Sequence, residues 1–207
     1  MRKILDGLAK FQSVVHRKNQ RLFTRLATKQ NPHAMLIACA DSRVVPEFLT
    51  QSRPGDLFIS RNAGNIVPPT GEYVGGVTAA VEYAVELLRV KDVIVCGHSD
   101  CGAMKGLLAP EKVSHLKFVS KWLDYAREAA EEVRGGQPKL RGKALLNAVI
   151  ERNVVLQLEH LSMHPCITGR LRAGKIRIHG WVYEIGTGKV RIYDPWRREF
   201  LDSEGAL

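Results

Sequence analysis

Three short apolar runs, each breaking off into polar residues, constrain this chain most. AMLIACA (34–40), GDLFIS (55–60) and KDVIVC (91–96) have the length of buried strands. Helical patterns lie around them. Ile4, Leu8, Phe11, Val15, Leu22 and Leu26 predict helix over 3–27, and a short helix is expected near Pro46–Thr50. Val74, Val77, Val81, Val85 and Leu88 form a stripe over 70–89, and two further long patterns cover 114–133 and 141–163. KIRIHGWVYEI and KVRIYDP, joined by Gly186-Thr187-Gly188, read as a hairpin. Short strands alternating with helices predict an α/β fold: a mostly parallel central β-sheet of 4–5 strands flanked by helices, with an N-terminal helical arm. RGGQPKLRG (134–142) separates two helices rather than two domains. Residues 1–207 are therefore expected to form a single domain, with 1–30 as the arm.

Composition removes several classes of function. No run approaches the ~20 apolar residues of a membrane span, so no membrane partner is expected. Asp6, Lys10 and Gln12 interrupt the N-terminal MRKILDGLAKFQ, which reads as an amphipathic helix rather than a signal peptide. Four cysteines are too few for a disulfide scaffold, and reduced thiols point to metal binding or catalysis in the cytoplasm. The net charge of +10 reads as a solvated basic surface. Aromatic residues are not interleaved with its basic clusters, and no nucleic-acid partner is expected.

Chemistry gathers where two of the apolar runs end, which in a parallel sheet is where ligands bind. In LIACADSRVV (36–45) the polar residues Cys39, Asp41 and Arg43 alternate. If the backbone stays extended, they share one edge of a cleft. CGHSDCG (96–102) adds His98 and Cys101, the latter at the start of a helix whose dipole favours a thiolate. Two thiolates and one imidazole suit zinc with a fourth position open to water. Two other readings stand beside this one. Cys39 could be a nucleophile with His98 as base, which leaves Cys101 unexplained. All three could instead be buried structural residues, which leaves Asp41, Arg43 and Asp100 unexplained. Cys96 reads as core and Cys166 as structural. His33, His115, His160, His164 and His179 read as surface or hydrogen-bonded structure.

CADSR (39–43) with GHSDCG (97–102) resembles the β class of carbonic anhydrases. RNAGNIVP (61–68), GGVTAAVEYAV (75–85) and HGWVYEI (179–185) follow in the family's order, so the resemblance covers about residues 3–195. It implies a zinc enzyme of carbon utilisation that interconverts CO2 and bicarbonate, with one Zn2+ per subunit held by Cys39, His98 and Cys101. It implies a catalytic Asp41–Arg43 pair, in which Asp41 orients the attacking water or, in a closed state, becomes a fourth ligand. Gln30, Phe58, Ala63, Tyr83 and Gly102 would bind substrate, some of them from a neighbouring chain. Self-association follows, as a dimer with embracing N-terminal helices or as a tetramer or larger assembly. Some bacterial members carry a tryptophan at the position of Leu36 as part of an inhibitory bicarbonate site. Leu36 therefore favours the plant-like, open-site branch, although Arg61 and Tyr183 suit the rest of that site. Two alternatives remain at this point. One is a hydrolase of carbonyl sulfide or carbon disulfide on the same fold. The other is a basic zinc-containing nucleic-acid-binding protein, against which the Asp41–Arg43 pair argues.

Overall fold

Six strands, β1 (Ala34–Cys39), β2 (Leu57–Asn62), β3 (Asp92–His98), β4 (Arg177–Tyr183), β5 (Val190–Asp194) and β6 (Glu199–Asp202), form one sheet in the order β2-β1-β3-β4-β5-β6. The computed structural model describes residues 1–71 and 75–203. The first four strands are parallel neighbours, as their apolar, helix-separated sequences require; β5 and β6 return antiparallel. The mostly parallel sheet agrees with expectation, and β6 extends it beyond five strands. REFLD is too short and polar to announce a strand alone. It is held because Phe200 meets Tyr193 with ring centroids 5.3 Å apart.

The chain comprises two compact units, Met1–Asn31 and Pro32–Leu207. In the first, helix runs from Arg2 to Leu26 with a wider turn at Phe11–Val15 and a break at Asn19. Phe11, His16 and Phe23 cluster through their rings. Ile4, Leu5 and Leu8 are exposed, leaving this unit an uncovered apolar face.

In the second unit the helix Gly142–Met163 crosses β3 and β4. Gly97 and Gly180 allow its close approach: a Cβ on Gly97 would lie 2.7 Å from Val154 Cγ2, and one on Gly180 2.9 Å from Val154 Cγ1. Gly97→Ala is therefore expected to cost about 1–3 kcal/mol through overpacking, measured as a lower urea midpoint. Two predicted helices differ in detail. The 114–133 pattern resolves into Lys117–Leu123 and Arg127–Gly136, joined by a 3-10 turn that keeps Leu123, Ala126 and Ala130 all in the core. The 70–89 pattern begins at Gly76 and ends in a π-helical turn, Tyr83–Leu87; Val74 lies outside the described residues. Among the described residues no helix is long and apolar enough to cross a membrane.

At the amino end of the sheet Asp92 clasps β3 to β4. It accepts from Arg177 Nε (2.7 Å) and Nη2 (2.8 Å), and from His179 Nε2 (2.8 Å). The Arg177 guanidinium holds the Asp92 carboxyl below its ordinary value, against the opposing effect of burial. The folded-state pKa is depressed, so this stabilisation is complete above the unfolded value of about 4 and is lost as pH falls through the folded value. Arg177 is mostly exposed, so solvent screens the clasp and its contribution is small. Asp92→Asn is expected to lower Tm by about 2–4 °C at neutral pH, with the gap closing in acid.

Candidate metal centre

Because β1 and β3 are adjacent and parallel, with Ala38 opposite Cys96, their carboxyl ends lie side by side. Cys39 closes β1 and His98 closes β3. Asp100, in the left-handed region at φ 60°, turns the chain so that Cys101 leads into the helix Gly102–Leu108. The turn is tied to the end of β4: Ser99 N–H donates to Tyr183 O at 2.9 Å, and Ile185 N–H donates to Ser99 Oγ at 3.0 Å.

These turns bring Cys39 Sγ, a His98 ring nitrogen and Cys101 Sγ within 4.8 Å of one another, all three residues buried. His98 Nδ1 lies 2.9 Å from the Ser99 carbonyl, which can only accept, so this nitrogen carries the proton. That leaves a lone pair on Nε2, which is buried with no hydrogen-bond partner among the described residues. An orphaned imidazole lone pair beside two sulfurs is costly by itself and fits a zinc ion. Hydrogen bonding from the Cys101 thiol lowers the Cys39 pKa; the same contact and burial raise that of Cys101. Metal binding would displace the thiol protons of the pair.

Asp41 and Arg43 stand beside this cluster. Strand β1 ends at Cys39, so they are not gathered by extended backbone as expected. A turn does it instead: Val44 N–H donates to Asp41 O, and Arg43 N–H to Asp41 Oδ1, each at 3.0 Å. The Arg43 guanidinium then forks onto the carboxylate, Nε to Oδ1 at 3.0 Å and Nη2 to Oδ2 at 2.8 Å. Arg43 Nη1 also reaches Asp100 Oδ2 at 3.2 Å, and Asp100 pairs with Lys105. Side-chain and backbone hydrogen bonds from Arg43 hold the Asp41 carboxyl far below the usual carboxylate range. Asp41 Oδ2 lies 3.9 Å from His98 Nε2. Arg61 fixes the backbone between them, donating from Nε to Cys39 O (3.1 Å) and from Nη2 to Asp41 O (2.7 Å).

The remaining predicted residues are not all brought here. Gly102 adjoins Cys101, and the Ala63 carbonyl accepts from Trp122 Nε1 at 2.8 Å. Phe58 and Tyr83 do meet, stacked with centroids 5.8 Å apart. Phe58, however, pairs with Met35, whereas Cys39 pairs with Asn62. Four rungs of sheet, about 13 Å, separate Phe58 from Cys39. Gln30 belongs to the first unit. Leu36 is fully buried with Tyr183 in a cluster separate from the one containing Cys39. Cys96 is core, its thiol pushed up to about 12 by burial. The sequence reading did not single out Gly64, whose N–H lies 3.4 Å from Cys39 Sγ, or the buried amides Asn153 and Gln157 behind it. Their signal was polar residues at helical spacing, 153, 157 and 160, on the buried side of that helix, with His164 just past its end.

Comparison with known proteins is consistent along the chain. A family profile described as carbonic anhydrase matches residues 34–190. A carbonic anhydrase of Pseudomonas aeruginosa (strain PAO1) is 47% identical over 201 residues, covering 97% of this chain and 91% of that protein. The solved structure of the β-carbonic anhydrase CcaA superposes with a TM-score of 0.94 at 41% identity, covering 98% of this chain and 91% of that one. One of two tetrameric β-carbonic anhydrases from the ascomycete Sordaria macrospora superposes with a TM-score of 0.81 at 28% identity, covering 92% and 95%.

Proposed function

The chain belongs to the β-class carbonic anhydrase family, and on that premise we propose how its own residues divide the work of hydrating CO2. The reaction is the zinc-dependent, reversible hydration of CO2 to bicarbonate and a proton. Cys39, His98 and Cys101 would hold the zinc, which when bound would supply a Lewis acid that brings the ionisation of water closer to neutral pH. The observation that carries this reading is the lone pair of His98 Nε2, buried between two thiols and 3.9 Å from Asp41 Oδ2.

Asp41 orients the attacking water. Its depressed pKa keeps it ionised, so at neutral pH it is an acceptor only. Oδ2 takes one hydrogen bond from Arg43 and keeps acceptor capacity for the water's proton, which aims an oxygen lone pair at the carbon of CO2. Arg43 keeps the carboxylate from swinging onto the metal as a fourth ligand. Asp100 and Lys105 in turn steady Arg43. This arrangement supports assignment to the open-site branch, and Leu36 in the position of the inhibitory-site tryptophan argues the same way.

Ala63 and the Gly102 backbone amide complete the substrate side within one subunit. Gln30, Phe58 and Tyr83 act on the site of a partner subunit, since Phe58 is four rungs from Cys39 in its own chain. The enzyme is accordingly at least a dimer, with a tetramer within reach. The exposed apolar face of residues 1–30 forms the dimerisation arm of a single 1–207 functional domain. Free thiols at a dithiolate metal site suit the reducing cytoplasm.

Stopped-flow CO2 hydration before and after zinc removal tests the assignment. Activity is expected to disappear with chelation and to return on adding Zn2+. Full activity in metal-free protein would overturn the reading.

A further inference from the structure

The helix Gly142–Met163 buries two amides that the mechanism leaves unused. Asn153 and Gln157 are 1% and 0% exposed, and Gln157 Nε2 donates to Asn153 Oδ1 at 2.9 Å. Both then reach one segment of backbone. Asn153 Nδ2 donates to the Gly64 carbonyl at 3.1 Å, and the Val67 N–H donates to Gln157 Oε1 at 2.8 Å. Further along, His160 Nδ1 meets Val67 O at 2.9 Å, and His164 Nε2, just past the helix end, meets Pro68 O at 3.0 Å. One polar stripe of the helix therefore fastens residues 64–68.

The fastened segment begins at Gly64, whose N–H points to Cys39 Sγ at 3.4 Å. Gly64 has φ +82°, and a Cβ there would meet Ala103 Cβ at 3.0 Å and Met104 Cε at 3.1 Å. The segment is thus wedged between the polar stripe and the helix that follows Cys101. Elsewhere the same long helix fills its buried positions with Val149, Val154 and Leu161. Buried amides cost stability unless every bond is made, and a satisfied network fixes one arrangement.

We propose that Asn153 and Gln157 are positioning residues of the metal centre: they hold the 64–68 segment so that the Gly64 N–H stays on Cys39 Sγ and sets how much charge that sulfur gives to zinc. The proposal rests on Cys39 being a ligand. An N–H bond to a thiolate draws charge from the sulfur, weakens it as a donor and leaves the metal more acidic. Two thiolates blunt a zinc ion more than neutral imidazoles do, so a dithiolate site gains most from such a bond.

The test uses the full chain loaded with Co2+, which reports sulfur ligation through a thiolate-to-metal charge-transfer band. Asn153→Ala and the near-isosteric Gln157→Met are expected to move that band to lower energy. Val149→Ala, on the same helix but in the apolar core, should lower Tm and leave the band in place. Gln157→Met keeps the side-chain volume, so the test survives a folding defect in the alanine variant. Wild-type band energies in the two amide variants, or an equal shift in Val149→Ala, would overturn the proposal. A wild-type Co2+ protein without any thiolate band would overturn the ligand assignment itself, and the proposal with it.

Discussion

Asp41→Asn is expected to keep its zinc and to lose about 10²–10⁴-fold in turnover. The carboxylate is not counted among the three metal ligands, so metal content by atomic absorption should match the wild type. What changes is chemical. An asparagine presents one carbonyl oxygen where the carboxylate presented two acceptors, and its amide nitrogen donates. The bidentate fork from Arg43 Nε and Nη2 loses one arm. The amide also carries no charge, so orientation of the attacking water weakens at the same time. Because the wild-type carboxyl is depressed far below the usual range by Arg43, no proton reaches it in the working pH range. The defect of the variant should therefore persist across neutral and alkaline pH. If Asp41→Asn retains full turnover, Asp41 does not have the assigned role.

His98→Ala is expected to do the opposite: the zinc goes, and CO2 hydration falls to the uncatalysed background. Loss of an outer partner alone costs about 10–100-fold in metal affinity, and loss of a direct ligand costs more. A weakening beyond about 100-fold is expected in chelator competition. The fold should survive, because the ring hangs from the last residue of β3 and Nδ1 bonds only locally, to the neighbouring Ser99 carbonyl. The variant trades an orphaned polar nitrogen for a small cavity, so its metal-free form should melt within a few degrees of metal-free wild type. Stoichiometric zinc in His98→Ala would remove His98 from the ligand set.

Together the two variants separate holding the metal from using it, and the sequence already hinted at that division. Cys39 was legible because an apolar run ended in a thiol, and His98 and Cys101 because three residues of spacing suit a turn into a helix. Asp41 and Arg43 were legible as a pair, but for the wrong local reason. Alternation along a strand suggested a common edge, whereas a turn stapled by Arg43 N–H to Asp41 Oδ1 joins them. Local patterns could not show that Phe58 stands four rungs from Cys39, because that distance depends on the register of β1 and β2. Nor could they show what Asn153 and Gln157 hold. Their partners lie about ninety positions earlier in the chain, and a polar stripe on a helix says only that something polar faces it. β6 was missed because its pairing depends on a tail returning to β5, not on its own composition.

The two glycines beneath the long helix have a consequence for how such a chain can vary. Gly97 precedes the proposed ligand His98, and Val154, which occupies the space above Gly97 and Gly180, follows Asn153. A methyl group added at 97 or 180 would lift the helix and with it the amides that grip residues 64–68. At 97 a smaller side chain at 154 makes room without moving the helix, whereas at 180 Leu158 Cδ1 (3.0 Å) and Tyr193 Cβ (3.2 Å) must give way as well. Positions 97, 154 and 180 should therefore drift through related sequences as a linked set. A substitution that looks like ordinary core turnover, far from the zinc, would then register first in the metal.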